Sequence, residues 1–268
     1  MTALAMASAL ENCPSGAEVF LGTNLSEQHR DRLRVLVSQF DGCTLHFHAL
    51  SAADFGDTTP PDPKITLTAL ARLFLPTIAQ GRLLYLDGDT LVRSSLTPLF
   101  TLDMQGCLLG VVRDQYVLRQ AQRGKADLAY FQTVMGDRPA TKYFNSGVLL
   151  MDLDAINADP NLVQKMRDFE VLEGYRYLDQ DHLNALFAGR TLFLPHRWNS
   201  MWGRQRYQTA LWRRLQLPPE ETAGGPPAII HFQGAKKPWK KLRLSILTQS
   251  LPAFIQYRLF QRRLKRQL

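Results

Sequence analysis

Short apolar runs that end in polar or acidic residues recur along this chain. They alternate with longer stretches whose apolar positions repeat at helical spacing. Residues 1–12 read as a helix stopped at Cys13-Pro14, and 17–22 as a short strand. Ser26 reads as the cap of a helix that carries Leu33, Leu36, Val37 and Phe40 on its apolar side. Thr44–Ala49 alternates as a strand does, 57–63 is a Pro- and Asp-rich loop, and 65–79 predicts a helix carrying Arg72 with Pro76 inside it. The run 83–86 predicts an inner strand that leads straight into Asp87-Gly88-Asp89. A second buried strand is expected at 108–112, a polar cover with helical patches at 116–143, and a loop leading into a strand at 143–152. Further on come an amphipathic helix at 155–172, a helix at 178–187 with Asp179 and Asp181 in its first turn, and a short strand at 191–194. An aromatic loop at 195–207 and a strand at 228–232, containing His231, complete the pattern. Strands alternating with helices predict an α/β fold, with a mainly parallel sheet covered by helices on both faces. Residues 1–244 form one domain in this reading, and 245–268 an appended tail.

Composition narrows the class. A chain of 268 residues with 45% hydrophobic and 21% charged residues has the material for a large globular core. No apolar run approaches the roughly 20 residues of a membrane span. The first ten residues lack a basic start, so they read as a helix and not as a signal peptide. Cys13, Cys43 and Cys107 are scattered, with no CxxC pair; this is neither a zinc site nor a disulfide framework, and it suits a reducing cytoplasm. The net charge of +8 is concentrated, because residues 236–268 hold ten Lys or Arg and no acid. A nucleic-acid-binding domain would carry its basic stripe across the fold, so none is expected. In the tail, Leu251, Phe254, Ile255, Leu259 and Phe260 mix with Arg258, Arg262, Arg263, Lys265 and Arg266. That pattern suits an amphipathic segment on an anionic membrane surface, or else a helix packed on the domain with a basic outer face.

Three polar clusters stand where apolar strands end or helices begin, which is where ligands bind in open α/β sheets. They are Asp87 with Asp89; Asn145-Ser146-Gly147 with Asp179-Gln180-Asp181; and His231 with Gly234 and Lys237. Two carboxylates and an imidazole suit Mn²⁺, while Mg²⁺ is content with carboxylates. Gly234 lets backbone approach a phosphate, and Lys237 offers it a point charge. Together they describe a site for a metal-bound nucleoside diphosphate. Each also has a plainer reading: a polar turn at Asp87-Gly88-Asp89, a packed core His231, helix-start acids at Asp179 and Asp181, and a solvated lysine face.

The segments LLYLDGDTLV (83–92), YFNSGVLLMD (143–152), LDQDHLN (178–184) and IIHFQGAKKPW (229–239) occur in this order. In them the chain resembles glycosyltransferase family 8, the retaining family of glycogenin and of bacterial lipooligosaccharide and lipopolysaccharide galactosyl- and glucosyltransferases. The resemblance implies the single-domain, Rossmann-like glycosyltransferase A fold. It implies that Asp87, Asp89 and His231 bind Mn²⁺ and the donor diphosphate, and that Gly234 and Lys237 hold the phosphates. Arg72, Asn145, Ser146, Asp179 and Gln180 would line the donor sugar, with Gln180 and Asp179 nearest the chemistry. The implied reaction moves galactose or glucose from a UDP-sugar, with retention, to a glycan or glycolipid acceptor in lipopolysaccharide or lipooligosaccharide synthesis. The implied place is the cytoplasmic face of a bacterial inner membrane.

Retaining hydrolases use a carboxylate nucleophile. An amide at Gln180 leaves either a front-face route assisted by the leaving phosphate or a positioning role. Two departures stand out. Family members usually open with a strand bearing an acid and a Tyr, whereas this sequence starts at the helix that follows, so the sheet is expected to lack its first strand. That is explained either by a start placed too late or by a degenerate, weakly active sugar-nucleotide-binding relic. Leu70 also replaces a frequent Tyr two residues before Arg72. A haloacid-dehalogenase-like phosphatase, with Asp87 as nucleophile, is a further alternative. It would need that loop near the N-terminus and a later acidic pair, where this chain has His231.

Overall fold

The computed structural model describes residues 1–13, 16–49, 67–240 and 244–267; the loop expected at 57–63 and the start of the helix expected at 65–79 lie outside them. The described strands are β1 (Glu18–Thr23), β2 (Thr44–Ala49), β3 (Arg82–Leu86), β4 (Thr90–Val92), β5 (Leu109–Arg113), β6 (Phe144–Asp152), β7 (Thr191–Phe193), β8 (Ser200–Met201) and β9 (Ile229–His231). They assemble in the orders β1-β2, β3-β6-β5-β7 and β4-β9-β8. The α/β architecture is the expected one, but the pairing is more mixed than a mainly parallel sheet. Ladders β1·β2, β5·β7 and β8·β9 are parallel; β3·β6, β5·β6 and β4·β9 are antiparallel. The cause lies largely in β6, which enters between β3 and β5 and runs against both. Among the described residues β1 pairs only with β2, and β3 only with β6, so each presents one edge without a strand partner.

Alternation across β5 and β6 builds two cores. Leu109, Val111, Leu149 and Met151 pack with Leu183 of the helix Asp179–Leu186 on one face. Val112, Val148 and Leu150 pack with Trp198, Trp212 and Ile229 on the other. The first helix, Thr2–Leu10, lays Leu4 and Leu10 against Ile230, Phe232 and Tyr257 in a third core. Fully burying one such aliphatic or aromatic side chain contributes about 1.5–3 kcal/mol, so these faces hold the sheets in place.

Several elements differ from the sequence expectation. The helix carrying Arg72 is 3-10 over Leu67–Phe74 and α-helical only over Leu75–Ile78, with Pro76 in the first turn of the latter, where its missing N–H is tolerated. Ser26 is the N-cap residue of Glu27–Val37, but its hydroxyl meets His29 Nδ1 at 2.8 Å instead of a helix N–H. The helix expected at 155–172 is three short ones, Leu153–Asn157, Pro160–Met166 and Phe169–Leu172. Asp152 and Asp159 cap the first two through Ala155 N–H (3.0 Å) and Leu162 N–H (3.1 Å). The polar stretch after β5 forms Gln115–Arg123 and Asp127–Met135 around Val117, Phe131 and Tyr143. The tail is helical over Leu244–Gln267, with extended backbone at Ser250 ahead of Pro252. It buries Ala253, Phe254, Tyr257 and Leu264 against the domain.

Candidate active site

Strand pairing, not sequence proximity, brings the first cluster together. In the β4·β9 ladder Thr90 faces His231, and Phe232 N–H donates to Asp89 O at 2.9 Å. His231 Nε2 therefore stands 3.1 Å from Asp89 Oδ1 and 3.5 Å from Asp87 Oδ2. One ligand atom from each of Asp87, Asp89 and His231 lies within 4.8 Å of the others. Gly147 makes the room: a Cβ there would come 2.1 Å from His231 Cε1 and 2.6 Å from Asp87 Oδ2. The donor set, hard carboxylate oxygens with a borderline imidazole nitrogen around a space no side chain could share, fits a divalent cation.

Gly147 sits at that spot because β6 departs from β5. Val111 faces Leu149, yet Val112 faces Asn145, so Ser146, Gly147 and Val148 leave the β5 ladder. They still follow β3, where Leu86 faces Val148 and Asp87 N–H donates to Gly147 O at 2.8 Å. A bulge re-aims side chains. Here it turns Asn145 and Ser146, expected in a loop, toward the helix Asp179–Leu186. Gln180 Oε1 accepts from Asn145 Nδ2 (2.9 Å) and Ser146 N–H (3.1 Å). Gln180 Nε2 donates to Tyr143 OH (3.2 Å), and Tyr143 OH donates in turn to Asp181 (2.5 Å). Tyr130 OH also donates to Asp181, which ties the covering helix to this network. Leu178, just before Asp179, holds φ at 39°, a costly conformation for a branched residue that packing maintains at this helix start.

Arg72 joins the clusters. Its guanidinium donates to Ser146 O (2.5 Å), Ser146 Oγ (2.8 Å) and Asp87 Oδ1 (2.8 Å), pairs with Asp179 Oδ2 (3.2 Å), and lies over the Tyr85 ring. Burial alone would lower its pKa, but Asp179 and Asp87 outweigh burial and raise it, so the cation is permanent. For Asp179, burial dominates over Arg72 and pushes the carboxyl up to about 6. For Asp89, burial is opposed and outweighed by His231, when its ring is charged, and by Lys237, which hold it below the usual carboxylate range. Lys237 Nζ reaches Asp89 Oδ2 (2.5 Å) and Phe232 O (2.9 Å). It returns there through an exposed left-handed turn at Gly234, φ 86°.

All ten site residues read from sequence fall in or beside this region, Gly234 as the hinge of the turn and not as a contact with the carboxylates. Four residues outside that set join them. Tyr85 OH donates to Asp87 Oδ1 at 2.8 Å. Asp114 caps Gln115–Arg123 and also accepts from Asn145 Nδ2 at 3.1 Å. Tyr143 and Asn199 complete the hydrogen-bond chains. An acid directly after a buried strand was the visible signal for Asp114. Tyr85, two residues before Asp87, shares its side of the strand and could be read from that spacing, whereas Tyr143 and Asn199 have no local signature because their partners come from distant segments.

Known proteins resemble this chain in sequence and in fold. A family described as glycosyl transferase family 8 matches residues 1–243. Lipopolysaccharide 1,2-glucosyltransferase of Escherichia coli (strain K12) is 31% identical over 162 residues, covering 60% of this chain and 44% of that protein. Lipopolysaccharide 1,3-galactosyltransferase of Salmonella typhimurium is 26% identical over 161 residues, covering 59% of this chain and 44% of that one. The chain thus spans about half the length of these curated relatives. A solved structure, the galactosyltransferase LgtC in complex with donor and acceptor sugar analogs, matches with a TM-score of 0.73 and 28% identity, covering 96% of this chain and 90% of that one.

Proposed function

The chain belongs to glycosyltransferase family 8, and from that premise we propose that it moves a hexose, galactose or glucose, from a UDP-sugar to a glycan or glycolipid acceptor with retention of configuration. The observation that carries the reading is the group Asp87, Asp89 and His231, with ligand atoms within 4.8 Å and the space beside it kept by Gly147. These three residues would hold Mn²⁺, or Mg²⁺, whose positive charge stabilises the diphosphate as it departs. The family match removes the support for the phosphatase alternative.

The chain's own groups supply the rest. Lys237 leaves Asp89 for the phosphates, since a flexible ammonium can exchange one anion for another. Arg72, anchored by Ser146, Asp87 and Asp179, presents a rigid cation beside the donor. Asn145, Ser146, Asp179 and Gln180 line the sugar. Gln180 acts by positioning, because its amide oxygen already accepts from Asn145 and Ser146, and an amide is a poor nucleophile. The lipopolysaccharide enzymes among the relatives favour a lipopolysaccharide or lipooligosaccharide acceptor.

The tail would hold the protein on the cytoplasmic face of an anionic membrane. Among the described residues no helix is long and apolar enough to cross one. Leu251, Ile255 and Leu259 are exposed at 46%, 46% and 58%. A hollow of about 510 Å³ is lined by Ile255 and Leu259 together with Arg258, Arg262 and Lys265. A panel of UDP-sugars tests the donor: UDP release with UDP-galactose or UDP-glucose in Mn²⁺, abolished by EDTA, is expected. Release confined to a non-hexose donor, or undiminished in EDTA, contradicts the reading.

A further inference from the structure

Asn199 lies at the end of the 3-10 turn His196–Asn199 and is 3% exposed. Its place in the hydrogen-bond chain has a consequence for the metal site, and a main-chain group sets its direction. Gly147 N–H donates to Asn145 Oδ1 at 3.1 Å. A backbone N–H can only donate, so the atom of Asn145 at that point is its oxygen. The group facing the same oxygen at 2.8 Å must also donate, and it is Asn199 Nδ2. The far end of the Asn199 amide is then Oδ1, 3.0 Å from His231 Nδ1. An amide oxygen can only accept, so His231 Nδ1 carries a proton. The remaining ring nitrogen, Nε2, faces Asp89 and Asp87 and is the one that can be left bare for a cation. Gln233 Nε2 also stands 3.0 Å from Nδ1; beside a protonated Nδ1 that amide turns over so that its oxygen accepts, and among the described residues no other bond fixes which end faces the ring.

We propose that Asn199 is a positioning residue that locks His231 with its proton on Nδ1, so that Nε2 is ready to ligate a divalent cation. The proposal rests on the metal reading of Asp87, Asp89 and His231, and it adds a residue to it. Without Asn199 the balance shifts. Two carboxylates draw a proton to Nε2, only the rotatable amide of Gln233 is left to hold one on Nδ1, and a cation must then first expel the Nε2 proton to solvent. Outer partners of a metal-binding histidine act in this way, fixing tautomer and ring orientation. The same Gly147 N–H orients Gln180 as well. Asn145, held by its oxygen, turns its Nδ2 to Gln180 Oε1 (2.9 Å) and Asp114 Oδ2 (3.1 Å). One backbone donor thereby sets both the metal ligand and the sugar-site amide.

Two readouts on the full chain test this. In metal-free protein labelled with ¹⁵N-histidine, at a pH where the ring is neutral, long-range ¹H–¹⁵N correlations should show His231 protonated on Nδ1. In Asn199→Leu the proton should move to Nε2, and Mn²⁺ affinity, measured without nucleotide by electron paramagnetic resonance, should fall about 10- to 100-fold. A wild-type ring protonated on Nε2, or Asn199→Leu binding Mn²⁺ like wild type, overturns the assignment. If Asn199→Leu does not fold, the wild-type tautomer alone decides. If wild type takes up no Mn²⁺ at all, the metal reading fails, while the tautomer still reports on Asn199.

Discussion

Asp179 is the residue whose surroundings make the sharpest statement about charge. It is buried beside Arg72, and burial raises its pKa to about 6. The unfolded chain releases that proton near pH 3.9, whereas the native protein keeps it to about 6, so the native state holds the extra proton between the two. The associated stability is fully present below the unfolded value and is lost as pH rises through the native one. Urea unfolding should therefore show wild type losing about 2 kcal/mol relative to Asp179→Asn between pH 4 and 7, most of what a shift of about two units carries at roughly 1.4 kcal/mol per unit. A difference that moves the other way means that Arg72 keeps Asp179 ionised. At this scale the sequence was informative about Asp87, Asp89 and His231, whose types at strand ends suit a cation. It was silent about Asn199 and Tyr143, whose roles depend on which atom a distant backbone group faces.

Elements show why some expectations moved. Helical periodicity ran unbroken over 155–172, but Asp159-Pro160 is an N-cap followed by a first-turn proline, and the chain restarts there. The β6 bulge left no trace in alternation, because nearly the whole strand is buried on both faces. It became visible only as a register jump against β5. Next to that bulge a buried ion pair ties β5 to the 3-10 turn Pro219–Thr222. Arg113 Nε and Nη2 donate to the two Glu221 oxygens at 2.7 Å each, and Trp212 Nε1 adds a third bond at 3.0 Å. Removing one partner leaves a charge buried without its counter-ion. Glu221→Ala should lower unfolding free energy by about 3–5 kcal/mol, and Arg113→Met with Glu221→Leu together by less. Equal losses in a denaturant titration would mean that the pair's charges are immaterial.

For the whole molecule, the tail is more than an appendage. Its inner face packs Tyr257 near Trp239 (5.8 Å between rings), and Arg258 donates to Lys240 O at 2.7 Å. The helix therefore braces the segment that carries Lys237. Deleting it would disturb the site, so membrane binding is better tested on its outer face. Leu251→Ser, Ile255→Ser and Leu259→Ser together should abolish co-sedimentation with phosphatidylglycerol vesicles while leaving the melting temperature within a few degrees. Unchanged sedimentation would remove the membrane from the account. The α/β class and the order of elements were legible from periodicity, but the mixed pairing was not, because local pattern does not record strand direction.

The group Asp87, Asp89 and His231, just past the end of β3 and in β9, is the proposed cation site. Its most direct test is UDP release from a UDP-hexose by wild type and by Asp89→Ala, His231→Ala and Gly147→Ala, each with Mn²⁺ and with EDTA. Mn²⁺-dependent release by wild type alone, with at least a hundredfold loss in all three folded variants, is the predicted result. Full release by any of them, or by wild type in EDTA, would contradict it.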